Sequence, residues 1–400
     1  MDLDYNILGK LDSPAFIFDE KEFYRGVNGF YEALRKYFAK PIIGYSVKTN
    51  SLPYAIEKAV EYGCFAEVVS HDEYRLARLC GCPIDKIIYN GPNKSRQTFL
   101  EAIQGGAVVN IETHRELQWL SELPEEGNYG VGLRVNVNIA DISPDDSKEN
   151  DTFSRFGFSV ASGEFDKAIE YIDKLKNVKL VGLHFHRTSK TRSVEFYRHL
   201  SQFAAGVIKG HNLNLEYLDM GGGYFGIFPN SPTFQDYAGC FCNALKDVID
   251  PVKTKFIVEP GNALTASAFK YVATVIDVKQ QPELSIVTTD GSRNDIDPLF
   301  QKQRYLKKVV YSTAVNGREN VPLQWVTGAT CLEFDKILPI TDDYKLIVGD
   351  KIVFNNVGAY TMCLTPLFIN YFPTVYATSD NGCTFNVVRG RWSAEDFLKK

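Results

Sequence analysis

Long apolar runs are missing from this chain: no stretch approaches the roughly 18 uninterrupted apolar residues that a membrane span needs. The start, MDLDYNILGKLDS, has neither the basic cluster nor the apolar core of a secretory signal. A basic surplus is missing too. The 400 residues carry 44 Lys and Arg against 49 Asp and Glu, a formal net charge of −5, which argues against a dedicated nucleic-acid binder; the Lys307-Lys308 pair reads as solvated surface. Neither C-x-x-C nor H-E-x-x-H occurs. The eight cysteines, including the C-x-C pairs Cys80/Cys82 and Cys240/Cys242, therefore read as reduced thiols of a cytoplasmic protein, and with only six histidines no metal site is expected.

What is present is ordinary globular composition, 44% hydrophobic and 23% charged, at a length that suggests two domains. The first two-thirds alternates short β-branched runs with amphipathic stretches, the rhythm of βα units around a parallel sheet. Eight strands are expected, at Ile42–Lys48, Cys64–Ser70, Ile87–Asn90, Ala107–Glu112, Gly130–Asn136, Lys179–His186, Glu216–Met220 and Lys255–Glu259. Helical patterns fall between them, as at Ser51–Glu61, Gln97–Gln104 and Ser193–Lys209. This predicts a closed (β/α)8 barrel, with an open doubly wound sheet as the alternative. Polar residues gather where the strands end, which favours the barrel, because barrel chemistry sits on the loops at that face.

Beyond about Ala266 the runs become short, β-rich and separated by Gly, Asn, Asp and Pro, predicting an all-β barrel or sandwich with helical patterns only at Pro298–Tyr305 and in the tail. The expected division is a barrel over residues 14–265 and a β-domain from residues 1–13 and 266–400. The acidic stretch Asp141–Asp151 is expected to be a mobile loop and is a candidate lid.

Four places carry chemistry. Lys48 closes the apolar run YSVK; it is either an amine held in a buried setting, where a lowered pKa makes it nucleophilic, or a lysine snorkelling from a strand end. Gly221, Gly222 and Gly223 follow LEYLDM and form either a backbone cradle for an anion or a tight loop. The run is not read as a dinucleotide fingerprint, and no G-K-[ST] follows it. His186 closes the sixth strand with Ser189 three residues beyond, and His184 points the same way; the pair suits packing against a flat ring better than a metal. Glu259, before a Pro-Gly turn, needs a cationic partner at the barrel mouth, either a ring nitrogen or a rim salt bridge.

Together these positions resemble the fold type III pyridoxal-phosphate decarboxylases, most closely the diaminopimelate branch, over nearly the whole chain; the shared elements include SPAFIFD at Ser13 and GLHFH at Gly182. The resemblance implies an alanine-racemase-like barrel and the cofactor pyridoxal 5′-phosphate. Lys48 would hold the cofactor and His186 would stack on its ring. Ser189 with Gly221, Gly222 and Gly223 would hold phosphate, Gly261 would also bind the cofactor, and Glu259 would pair with the ring nitrogen. TGATCLEFDKI and VGAYTM resemble two further family elements, implying that Cys331 returns a proton to Cα and that Glu333 and Tyr360 lie near substrate, Tyr360 also near phosphate. In relatives one site draws on two subunits, so a homodimer is implied.

Two departures bear on substrate. The family's E-P-G-R reads Glu259-Pro260-Gly261-Asn262, and Asp297 stands near the place of an arginine downstream. Both arginines bind carboxylate in the relatives, and that bidentate contact is hard to replace. Diaminopimelate is therefore not the expected substrate. An amine read by Asp297, or a larger conjugate contacted by Asn262, is expected instead. The competing readings are a racemase of the same fold, disfavoured by Glu259 and Cys331, and a non-catalytic regulatory relative, disfavoured by Lys48 and Cys331.

Overall fold

The protein is described by a computed structural model covering residues 5–147, 153–380 and 382–398. It divides into two compact units, Arg25–Leu264 and the combination of the N-terminal segment to Tyr24 with Thr265 onward. After β1 (Ala15–Asp19), eight strands succeed one another: β2 (Pro41–Ser46), β3 (Phe65–Ser70), β4 (Ile87–Asn93), β5 (Val108–Ile111), β6 (Tyr129–Arg134), β7 (Val178–His184), β8 (Tyr217–Asp219) and β9 (Lys255–Val258). All pair in parallel, and β2 pairs with β9 to close the ring, so the expected barrel forms.

The local sequence explains the rhythm. Strands are bounded by hydroxyl residues that cap the next helix: side chains of Ser70, Ser95, Thr113, Ser193 and Thr233 each accept an N–H from the first turn that follows. Inside the ring, Ile42, Ile88, Val108, Tyr217 and Ile257 form one buried cluster. Tyr217 occupies space that glycine leaves free. A Cβ at Gly132 would lie 2.0 Å from its hydroxyl, and one at Gly182 2.1 Å from its ring.

The second unit is a nine-stranded sheet. Besides β1 it contains β10 (Phe269–Gln280), β11 (Ser285–Thr289), β12 (Leu306–Val310), β13 (Asn320–Thr327), β14 (Lys336–Tyr344), β15 (Lys351–Asn355), β16 (Thr374–Thr378) and β17 (Asn386–Arg389). Three expectations are corrected here. The barrel does not begin at residue 14: β1 is buried at all five positions and pairs with β10 and β16, so its apolar run serves the β unit. Pro298–Tyr305 is not helical, because Asp297 accepts the N–H groups of Gln301 and Lys302 and turns the chain, with Phe300 at φ +53°. The acidic loop is folded over its first half, where buried Asp146 accepts from Ser143 and Thr191; residues 148–151 lie outside the described residues.

Candidate active site

β2 ends at Ser46, and Lys48 sits in the helical turn Val47–Thr49 that follows. Its Nζ donates to Ser46 Oγ at 2.8 Å and to Glu67 Oε2 at 2.5 Å. The Glu67 side chain is 1% exposed and that of Lys48 33%. The amine is thus anchored on a buried carboxylate, with its side chain partly exposed.

Behind this pair runs a ladder of polar side chains through the barrel. Asn90 Nδ2 donates to Glu67 Oε1 at 3.1 Å and to Glu259 Oε1 at 2.5 Å. Asn110 donates to Asn90 Oδ1 at 2.9 Å, and the Tyr217 hydroxyl donates to Asn110 Oδ1 at 2.8 Å. Gly44 makes room at the top, since a Cβ there would meet Ile88 at 2.9 Å and Glu67 at 3.3 Å. Each rung satisfies the next, as buried polar groups must.

Glu259 follows β9 and is buried, with His184 Nε2 3.5 Å from its Oε2. Burial would raise its carboxyl, but His184, Lys48 and the hydrogen bond with Asp219 carry it below the ordinary carboxylate range. It is therefore an anion. His184, Asp219 and Glu259 bring ligand atoms within 4.8 Å of one another, so among the described residues they form the one cluster that could hold a metal ion.

His186 lies beyond the end of β7, its ring 6.2 Å from that of His184 at an interplanar angle of 20°. Burial, then the charge of Arg134, pushes its pKa well below that of free imidazole. Its Nδ1 accepts the Gly222 N–H at 3.1 Å, so the neutral ring carries its proton on Nε2. The glycine run is required by crowding. A Cβ at Gly221, where φ is +63°, would lie 2.6 Å from His186 Nδ1, and one at Gly222 would lie 2.2 Å from the Glu259 carbonyl oxygen. The cradle expectation is narrowed: the Gly221 N–H serves Asp219 and the Gly222 N–H serves His186, which leaves that of Gly223. Gly221 to Gly226 spells G-x-G-x-x-G, yet the next helix starts only at Phe234, so the dinucleotide context is absent. Ser189 is buried and accepts the Arg192 N–H at 2.8 Å. Gly261 packs on the lysine turn, because a Cβ there would meet Thr49 Oγ1 at 2.1 Å.

Several members of this site escaped the sequence reading. Glu67, Asn110 and Asp219 look like isolated polar residues in apolar strands, and Asn90 stood out only as one of several polar strand ends. Arg134 is another, buried on β6 with its guanidinium 2.6 Å from Glu112 Oε2 and 4.4 Å from the Phe156 ring centre. The signal available was a charged or amide residue inside a strand buried on both faces.

In the β unit, Cys331 and Glu333 are exposed and line one cavity of about 660 Å³ together with Leu284, Ile286 and Trp325. Tyr360 is 43% exposed, with φ +55°. Asp297 is engaged within its own loop. Its oxygens accept Arg293 Nε and Nη2 at 3.1 and 2.9 Å, the Tyr305 hydroxyl at 2.8 Å and two backbone N–H groups, so it is committed to holding its own loop. Asn262 opens the short helix Asn262–Thr265 and is half-buried.

An amine resting on a carboxylate, a second buried carboxylate kept anionic, a neutral imidazole and a glycine bend, all at the C-terminal ends of barrel strands, define an enzyme site fitted to an aldehyde cofactor with a ring nitrogen and an anionic group. The family model for the pyridoxal-dependent decarboxylase, pyridoxal binding domain, matches residues 25–266, and the chain belongs to this family. It is a pyridoxal 5′-phosphate-dependent amino-acid decarboxylase. Diaminopimelate decarboxylase of Methanocaldococcus jannaschii is 26% identical over 98% of this chain and 91% of that protein. The crystal structure of the enzyme from M. jannaschii with L-lysine superposes with a TM-score of 0.83 at 25% identity, covering 98% of this chain and 93% of that one. The match to the Aquifex aeolicus diaminopimelate decarboxylase, 29% identical, spans 66% of this chain and 64% of that protein. An L-glutamyl-[BtrI acyl-carrier protein] decarboxylase of Niallia circulans is 22% identical over 97% of this chain and 94% of that protein. Neither the racemase nor the regulatory alternative finds support.

Proposed function

We propose that this decarboxylase removes the α-carboxylate from an amino-acid unit whose far end carries no free carboxylate, and specifically from a conjugate of an amino acid with a larger carrier. The observation that carries this is asparagine at position 262, where the family's E-P-G-R element has its arginine. Asp297, near the second altered position, is already neutralised by Arg293, so it supplies neither a cation for a carboxylate nor a free anion for an amine. That favours a conjugate over a diamine. Full-length similarity to a protein named for decarboxylating a carrier-bound glutamyl group supports the same choice.

Roles follow from the chemistry of each group. Pyridoxal 5′-phosphate supplies an aldehyde for an amine and a protonated ring that withdraws electrons from Cα. Lys48 would hold the cofactor through its aldehyde, with Glu67 and Ser46 orienting its amine. Glu259 would keep the ring nitrogen protonated, and neutral His186 would pack against the ring. Ser189, Gly223 and Gly261, with Tyr360, bind phosphate. Cys331 delivers a proton to Cα, with Glu333 and Asn262 toward the substrate. Two copies of the chain assemble to complete each site, in a cytoplasmic enzyme; among the described residues no helix is long and apolar enough to cross a membrane.

The test measures CO2 release from meso-diaminopimelate, ornithine, lysine, arginine and glutamyl conjugates, with the Lys48→Ala variant as blank. Turnover of a conjugate, with diaminopimelate weaker by about a hundredfold or more in kcat/KM, is expected. Diaminopimelate turnover at about 10⁴ M⁻¹ s⁻¹ or above overturns the proposal.

A further inference from the structure

Asp219 has no part in the roles above, yet it is fully buried at the end of β8, next to the carboxylate that faces the ring nitrogen. Its Oδ1 accepts the Gly221 N–H at 2.9 Å. Among the described residues no N–H or hydroxyl donor reaches its Oδ2, and the side chain belongs to the cluster in which His184, Asp219 and Glu259 bring ligand atoms within 4.8 Å of one another. Two carboxylates this close, both removed from water, do not ionise together unless a cation lies between them.

We propose that Asp219 is a neutral acid whose proton is directed at Glu259, making it a positioning residue that leaves Glu259 as the sole anion facing the ring nitrogen.

The charges around it support this assignment. Glu67 on β3 is matched by Lys48, and Glu259 is matched by a protonated ring nitrogen when the cofactor is bound. A third negative charge would draw on His184, which already faces Glu259. The other titratable groups packed around the position are Tyr217 and Tyr224, both held neutral by burial, and His186, also neutral. Burial raises the Asp219 carboxyl well above its usual range, and the charges of Glu259 and Glu67 act in the same direction. Were Asp219 anionic instead, its repulsion would push Glu259 toward protonation, and a protonated Glu259 cannot hold a proton on the ring nitrogen. The inference rests on the cofactor assignment and is independent of the substrate proposal.

Infrared difference spectra of the apoprotein at pH 7 provide the test. A protonated-carboxyl stretch is expected that shifts on labelling with ¹³C-aspartate and disappears in Asp219→Asn. In the holoenzyme, Asp219→Asn retains a donor of the same shape and is expected to keep the cofactor absorbance band and its pH profile. Asp219→Ala is expected to move that profile by about one pH unit or more and to weaken cofactor binding by about tenfold. Absence of the labelled stretch in the wild-type apoprotein overturns the proposal whatever the variants do. So does a stoichiometric metal ion in the purified protein that is lost in Asp219→Asn, which would make the cluster a cation site.

Discussion

Asn90 and Glu259, 169 residues apart in the chain, meet inside the barrel, where the Asn90 amide nitrogen donates to Glu259 Oε1 at 2.5 Å. The same nitrogen serves Glu67 Oε1 at 3.1 Å. One amide therefore joins the carboxylate that holds the lysine to the carboxylate proposed to pair with the ring nitrogen. Hydrogen bonds to buried charges contribute about 1.5–3 kcal/mol each. Asn90→Ala is expected to raise the cofactor dissociation constant about 10- to 100-fold. An absorbance titration of the apoprotein measures it, and an unchanged constant would show that the carboxylates are held by other means.

Asp297 is a loop anchor, and its substitution should behave like one. Asp297→Asn leaves Arg293, 18% exposed at its side chain, without its carboxylate. Chemical denaturation should show a loss of about 2 kcal/mol, discounted from a fully buried pair because Arg293 reaches solvent. The ratio of kcat/KM between any two substrates should stay within about twofold. A changed ratio would return Asp297 to the substrate pocket.

Glu73 gives stability a pH dependence. Burial raises its carboxyl from 4.5 to about 7, against the Val69 N–H that favours the anion. The folded form thus holds this proton more tightly than the unfolded chain does. Its contribution is complete below about 4.5 and is lost as pH rises through about 7. Relative to wild type, Glu73→Gln should gain stability steadily across that interval. Urea melts at a series of pH values decide it, and parallel curves for the two proteins count against the assignment.

Gly182 and Tyr217 are complementary in volume, since a Cβ at 182 would sit 2.1 Å from the tyrosine ring. Gly182→Ala should cost about 1–3 kcal/mol through overpacking of the barrel interior. Adding Tyr217→Leu should recover part of that loss. A double-mutant cycle tests the pair, and strictly additive effects would mean that the crowding is relieved elsewhere.

Much of the barrel was legible because its signals are local. Strand ends, helix starts and hydroxyl caps depend on residues within a few positions, and Gln97–Gln104 or Ser193–Lys209 was read to within one or two residues of the helix that forms. β1 was misassigned for the converse reason. AFIFD, buried at all five positions, looks the same whether it closes a barrel or fills the middle of another sheet, and its partners lie some 250 and 360 residues away along the chain.

The sequence by itself determined which side chains stand at the strand ends, Lys48, His186, Gly221–Gly223 and Glu259 among them, because an apolar run must stop where its polar residue begins. Only the tertiary structure decided what those side chains face. The partners of a buried charge come from other strands, and barrel closure brings Glu67, Asn90, Asp219 and Glu259 within reach of one another. For the same reason an aspartate that reads as a free ligand in sequence is found neutralised by Arg293 one helical turn away. Desolvation leaves no buried carboxylate without an answering donor or proton, and which donor answers is a matter of topology.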